Sequence, residues 1–437
     1  MTRREFGAAL VGGAAAASLF PTAVAARRRA ALRVNGERLN ARLAEIGRFG
    51  ANPQGGVTRL GYSEEDRQAR ALVATWMRDA GLDPSTDFAG NLFGRRAGSE
   101  PALRPLVFGS HVDSVPEGGN FDGNVGVLAA IEVARTLRER GTTPRHPIEV
   151  VVWANEEGGL FGSRAVSGQF DASELSHVTM SGKTVKDGIA FVGGDPDRID
   201  EVRRSRGDIA GYIELHIEQG GVLEAERTTI GVVEGIVGIR WWNVTVTGFA
   251  NHAGTTPMDR RQDAMLAAAR FIDMVNRVVT SAPGRHVGTV GRIRAVPGAP
   301  NVIPGTVECS LELRDLDDGQ ILRLFEGIRG EARRIAEATG TSIAFDELHV
   351  NAPAPSDPRM RQVIADSAAS LGLSSRAMPS GAGHDAQAMA QLGPMGMIFI
   401  QSVGGISHSP KEFSHAADIV HGANVLLGAV LAADQTR

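Results

Sequence analysis

The sequence predicts an α/β protein of two domains, one inserted into the other, and three observations carry that reading. First, the apolar run Pro105-Leu-Val-Phe108 leads through small residues to His111-Val-Asp113, then a Gly-rich loop with Asp122, then a helical pattern over residues 125–140. That layout is a site at the carboxyl end of a strand in an open α/β sheet. Second, residues 148–153 are apolar apart from Glu149, as in a strand buried on both faces. Third, between about Gly235 and Val350 the pattern changes to strand, helix, two strands, helix, strand. This β-α-β-β-α-β order is that of a ferredoxin-like split unit.

The elements follow in order. A helix over 35–49 comes first. Ser63-x-x-Asp66 then reads as a capping box opening a helix with Ala69, Leu72, Val73, Trp76 and Met77 inward, stopped by Gly81. Residues 87–93 read as a short strand and turn, and 163–210 as polar, irregular, helical loops capping the site. In Tyr212-Ile-Glu-Leu-His-Ile-Glu218, strict alternation puts Ile213, Leu215 and Ile217 on one side and Glu214, His216 and Glu218 on a polar side. The inserted unit, 235–350, has strands expected at 240–249, 286–296, 305–315 and 342–349, and helices at 263–279 and 319–338. Val233-Glu-Gly-Ile-Val-Gly238 and Asn351-Ala-Pro-Ala-Pro355 read as hinges. The first domain therefore comprises 30–234 and 351–437. Its second part holds a helix over 360–371, a helix opened by Gly381-Ala-Gly-His384-Asp385, a strand at 397–400 and an apolar helix over 416–432.

With 437 residues and a formal charge of −4, the chain has no electrostatic footprint for nucleic acid. Cys309 is the single cysteine, which excludes an intrachain disulfide and a thiolate zinc site. Residues 1–26 read as a twin-arginine signal peptide: Arg3-Arg4, an apolar run from Phe6 to Phe20, and Ala23-Val-Ala25 as a cleavage site. The expectation is export by the twin-arginine machinery to a periplasmic or secreted location.

Four segments pair an apolar strand with a His or carboxylate: His111/Asp122, Glu156/Glu157, His216 and His408. Singly each has a bland reading, as a loop polar, a solvated strand end or a surface histidine. Together, at the carboxyl ends of one sheet, they can meet. Three imidazoles with Asp and Glu supply two divalent ions and leave one Glu over as a base. The donors favour zinc, manganese, cobalt or nickel over calcium or magnesium. Asp113 is close enough in sequence to orient His111.

Several motifs run in one order along the chain: Gly-Ser-His111-x-Asp113, Asn120-Phe-Asp122-Gly, Asn155-Glu156-Glu157-Gly, Glu214-Leu-His216-Ile-Glu-Gln219-Gly, Asn251-His252-Ala-Gly, Pro300-Asn301-Val-Ile-Pro, Gly381-Ala-Gly-His384-Asp385 and Ile406-Ser-His408-x-Pro. The ordered set resembles the M20 metallopeptidase clan. Within it, the chain is similar to the branch of N-carbamoyl-L-amino-acid hydrolases, allantoate amidohydrolases and β-ureidopropionases. The resemblance implies a phosphorylase/hydrolase-like mixed-sheet catalytic domain with an inserted lid and dimerisation domain. It implies that Asp122 bridges two ions, His111 and His216 completing one and Glu157 and His408 the other. Glu156 would be the general base. Gln219, His252, Asn301 and Arg314 would bind a ureide or N-acyl amino acid, flanked by Gly383 and His384. His252 would stabilise the oxyanion and reach the partner subunit's site in a homodimer. The alternatives are an aminoacylase or dipeptidase with the same chemistry, and a non-catalytic extracytoplasmic binding protein.

Overall fold

The computed structural model describes residues 32–435, so the leader expected over 1–26 lies outside the described residues. The chain divides into two compact units. One runs to Glu234 and resumes over Ser356–Met378 and from His384; the other comprises Gly235–Pro355 and Pro379–Gly383. The return thus falls at Ser356 rather than at 351, and Gly383 groups with the second unit.

In the first unit, helices α1 (Gly36–Ile46) and α2 (Glu64–Asp79) precede strands β1 (Asp83–Thr86), β2 (Leu92–Arg96) and β3 (Leu106–His111). Helix α3 (Asn124–Glu139) leads to β4 (Ile148–Trp153), and α4 (Phe161–Ser167) and α5 (Val185–Phe191) to β5 (Gly211–Ile217). Then come α6 (Val222–Glu226) and β6 (Ile230–Ile236). The expected hinge at 233–238 is therefore largely strand. The second unit holds β7 (Gly238–Thr247), β8 (Asn251–His252), α7 (Ala264–Ser281), β9 (Val287–Thr289), β10 (Ile293–Val296), β11 (Val302–Ile303), β12 (Thr306–Asp315), α8 (Asp318–Thr339), β13 (Ser342–Asn351) and β14 (Ala354–Pro355). The chain finishes with α9 (Pro358–Ser370), β15 (Ser375–Ser380), α10 (Asp385–Met389), β16 (Met395–Ile400) and α11 (Ala416–Ala433).

The first unit is organised on a sheet in the order β1-β2-β4-β3-β5-β16-β6, with β15 also on β6. Strands β4, β3, β5 and β16 are mutually parallel, while β2 and β6 flank them antiparallel. Parallel strands bring their carboxyl ends to one edge. The order reverses between β3 and β5, because β4 lies on one side of β3 and the later strands on the other. Such a switch point opens a crevice at the carboxyl edge.

Every residue of β5 is buried. The polar side expected of this strand is real but not solvated: Glu214 and His216 are 0% and 1% exposed. Alternation here separates core from site rather than core from water.

Helix α2 shows half of the expected capping box. Ser63 accepts from the Asp66 amide at 3.2 Å, but the Asp66 carboxylate accepts from the Tyr62 amide at 2.9 Å, one residue earlier than the box requires. Helix α11 is apolar and long enough to cross a membrane by length and composition. In the structure Ile419, Ala423, Leu426, Leu427 and Val430 are buried in the core of the first unit. It is a core helix, hydrophobic nearly all round because it is covered nearly all round.

An ion pair buried on its Glu132 side ties α1 to α3. Arg38 donates to both Glu132 oxygens at 2.8 and 2.7 Å, and Glu132 is fully buried. Without Arg38, Glu132 keeps the Asn35 amide at 3.0 Å and the Thr136 hydroxyl at 3.3 Å but loses its counter-charge. Arg38→Ala is expected to lower unfolding free energy by about 1–3 kcal/mol, read from the urea midpoint at constant m-value.

In the second unit the sheet order is β10-β12-β7-β13, with β9 also on β12. The strand expected over 286–296 is broken: β9 pairs with Glu312–Arg314 and β10 with Thr306–Cys309. Between them the Gly291 amide turns to the Ser310 hydroxyl at 3.3 Å, outside the ladder. Val244, Val246, Leu311 and Leu313 pack on one face with Phe271 and Leu324 of the two helices.

Candidate active site

His111 ends β3, Asn155 to Glu157 follow β4, His216 lies on β5 and Gln219 just beyond it, and His408 follows β16. The four parallel strands thus deliver one group each to the same edge. Asp122 arrives on the loop from β3 to α3. Asn155, Gln219 and His408 all have left-handed backbone, with φ of 52°, 57° and 52°. Three non-glycine residues held in that region beside one centre is the kind of strain that clusters at functional sites.

Asp122 is the hub. One of its oxygens lies 3.0 Å from His216 Nε2 and 3.7 Å from His111 Nε2; the other lies 3.2 Å from His408 Nε2. His408 Nε2 is also 3.5 Å from Glu157. Two groups of donors therefore share one carboxylate: His111, Asp122 and His216, and Asp122, Glu157 and His408, each with its ligand atoms within 4.8 Å.

Hydrogen bonds fix the imidazoles. His111 Nδ1 donates to the Asp113 carbonyl at 3.0 Å and His216 Nδ1 to the Ile217 carbonyl at 2.9 Å. With Nδ1 so engaged, Nε2 of each ring points at the Asp122 cluster; burial opposes a charge on either ring, but the carboxylates around them raise both pKa values, so an ion must displace the Nε2 proton to reach the lone pair. Asp113 does orient His111, by its main chain. Its backbone carbonyl orients His111, while its carboxylate, 3.7 Å from that ring, accepts from the Glu156 and Glu157 amides at 3.3 and 3.1 Å. Asp113 thus holds the β3 and β4 loops together.

The donors fit divalent ions. Glu157 Oε1 is buried without a hydrogen-bond partner among the described residues. Such an orphaned atom is costly unless something else satisfies it. The charge pattern agrees. Burial opposes ionisation of Asp122, yet His216, His111 and His408 hold it well below the carboxylate range. Burial lifts Glu156 well above that range, with Asp385, Glu157 and Asp113 adding to it against His111. Glu157 is raised to about 7, by burial and then Asp122. His408 is raised to about 9, by its bond to Asp122 and by Glu157.

An ion must displace those protons. His408 is cationic below about 9 and a cationic imidazole has no lone pair to give, so ion affinity is expected to rise with pH from 7 to 9. Calorimetry of ion binding in buffers of different ionisation enthalpy checks this. A heat independent of buffer, meaning no proton release, would contradict it.

The remaining residues stand as follows. Gln219 donates to Asp122 at 2.8 Å. His384 is buried, its ring edge-on to His216 with centroids 4.4 Å apart; burial and then His216 push its pKa well below the usual imidazole value. It backs a candidate ligand and is not an open wall of a cleft. In the second unit, His252 is exposed, and its Nδ1 accepts from the Gly254 and Thr255 amides at 3.0 and 3.2 Å. The proton must then sit on Nε2, which makes it a donor. Asn301 is exposed and its carbonyl accepts from Ala253 at 3.0 Å. Arg314 donates to Glu312 at 2.7 and 3.2 Å and to the Gly381 carbonyl at 2.6 Å.

Arg59 was not singled out from the sequence. Fully buried, it donates to the carbonyls of Val112 at 2.6 Å and of Ile46 and Phe49 at 2.9 Å, and to Asn124 Oδ1 at 2.9 Å. It ties the His111–Asp113 segment to the start of α3, next to Asp122. Burial lowers its pKa to about 10, so it is still charged at neutral pH.

Residues 107–432 match peptidase family M20/M25/M40. An N-carbamoyl-L-amino acid amidohydrolase of Geobacillus stearothermophilus is 42% identical over 398 residues, 90% of this chain and 97% of that one. An allantoate amidohydrolase of Bacillus subtilis is 35% identical over 87% of this chain and 93% of its own length. The crystal structure of a hydantoinase/carbamoylase-family amidase from Burkholderia multivorans superposes with a TM-score of 0.86 at 40% identity, covering 93% of this chain and 99% of that one. The chain belongs to peptidase family M20/M25/M40 and is one of its amidohydrolases, a hydrolase of C–N bonds.

Proposed function

We propose that the enzyme hydrolyses the ureido C–N bond of N-carbamoyl-L-amino acids or related ureides, releasing ammonia and carbon dioxide, at a centre for two divalent ions. One observation carries the two-ion reading: Asp122 turns one carboxylate oxygen to His111 and His216 and the other to His408. The names of the relatives support the substrate class. His111, Asp122 and His216 would hold one ion, and Asp122, Glu157 and His408 the other, as zinc, manganese, cobalt or nickel. Bound there, the ions would supply Lewis acidity that polarises the ureido carbonyl and acidifies water.

The chain's own residues do the rest. Glu156 takes the proton of the attacking water and returns it to the leaving nitrogen, a task suited to a carboxyl whose pKa burial has raised. His252 donates from Nε2 to the developing oxyanion, in its own or the partner's site. Arg314 pairs with the substrate carboxylate, and Gln219 and Asn301 bind its polar groups. The second unit acts as lid and dimerisation domain. Residues 1–26 act as a twin-arginine leader, so the mature enzyme is periplasmic or secreted; cell fractionation with the arginine pair replaced by lysines tests this.

The test of activity is ammonia release by the ion-loaded protein from N-carbamoyl-L-amino acids, allantoate and 3-ureidopropionate, beside amine release from N-acetyl amino acids and dipeptides. Ammonia from one ureide class is expected. Turnover of the acyl compounds alone would replace the proposal by an aminoacylase or dipeptidase. No turnover with ligand retained would leave a binding protein.

A further inference from the structure

We propose that Glu412 is a positioning residue that clamps the loop carrying Asp122 to the loop carrying His408, and so sets the affinity for the ion placed between Asp122, Glu157 and His408. The inference rests on the two-ion reading above and extends it to a residue outside both donor groups.

The geometry is that of a lock. Glu412 Oε1 accepts from the backbone amides of Phe121 and Asp122 at 2.9 and 3.0 Å, across 290 residues of sequence to Asp122. Its Oε2 accepts from the Ser407 hydroxyl at 2.8 Å, and that hydroxyl lies 3.2 Å from Asp122 Oδ2. One carboxylate thus grips the peptide next to the bridging aspartate and the residue before His408. Successive amides aimed at one anion make a strong, charge-assisted contact, the more so because Glu412 is only 5% exposed.

Gly119 supplies an independent sign. Its φ is not among the left-handed values, so its backbone does not call for glycine. A Cβ there, however, would lie 2.1 Å from Glu412 Oε1 and 2.3 Å from its Cδ. The lack of a side chain at 119 is what leaves room for the carboxylate.

Without Glu412, the buried Asp122 amide and the half-buried Phe121 amide lose their acceptor, Ser407 loses one of its two, and the Asp122 loop is free to turn. Loss of such an outer contact typically weakens an ion site by about 10–100-fold.

The experiment is calorimetric titration of the ion-free protein with Mn²⁺ alone, with the thermal transition of each ion-free variant as the check of folding. Glu412→Ala is expected to weaken one of two Mn²⁺ sites by about 10–100-fold. Glu412→Gln keeps an oxygen for the two amides and is expected to recover most of that loss. Gly119→Ala, which displaces the carboxylate without removing it, is expected to behave like Glu412→Ala. Should Glu412→Ala not fold, Gly119→Ala and Ser407→Ala decide the matter. Two Mn²⁺ sites of wild-type affinity in the folded variants would overturn the role of Glu412. A wild-type protein that takes up no divalent ion at all would instead overturn the two-ion reading itself.

Discussion

Glu156→Gln is expected to lower kcat by about 10²–10⁴-fold while ion content and KM stay close to wild type. The substitution preserves volume and one acceptor oxygen but removes the one property the mechanism asks of the residue, a carboxylate that can take and return a proton. Glu156 lies 3.7 Å from His111 and belongs to neither donor group, so its replacement leaves the ligands in place. Its amide stays on Asp113, which keeps the loop where it is. Steady-state kinetics and elemental analysis of the same preparation separate the outcomes. Unchanged turnover would remove Glu156 from the mechanism, and loss of ions would make it a ligand rather than a base.

Asp122→Ala has the second large effect. Both donor groups contain this carboxylate, so both ions are expected to be lost together, with turnover reduced by at least about 10³-fold. The physics points the same way without ions. The carboxylate is the shared counter-charge of three imidazoles, and without it His111 and His216, with ring centroids 5.9 Å apart, face one another across a buried gap. A variant that keeps one ion at wild-type affinity would show that Asp122 is not shared. Elemental analysis at defined protein concentration reads that result directly.

Much of this was legible because the groups sit where strands end. An apolar run that stops at a histidine or at paired glutamates marks both the edge of a sheet and the chemistry placed there, as β3, β4 and β16 illustrate. Less was legible where the sequence pattern has two physical meanings. The alternation in β5 looks like a half-solvated strand, because nothing local reveals that a second polar layer lies over Glu214 and His216. Residues 233–238 look like a flexible hinge from their glycines, yet most of the segment is strand, paired through backbone groups that carry no sequence signature. Arg59 and Glu412 carry no mark in the sequence for the same reason. Their partners are backbone carbonyls and amides contributed by distant segments, and a main-chain partner leaves no letter in the sequence.

The position of β16 in the sheet has a consequence for synthesis. It lies between β5 and β6, parallel to one and antiparallel to the other, yet it occupies residues 395–400. While the ribosome is still making the second unit, β5 and β6 have both been translated but the strand that joins them has not. Their facing backbone groups stay unpaired, the situation in which nascent sheets are most exposed to wrong partners. The sheet of the first unit can close only after residue 400 of 437 has emerged, and His408 follows a few residues later. Assembly of the centre is therefore among the late events of folding.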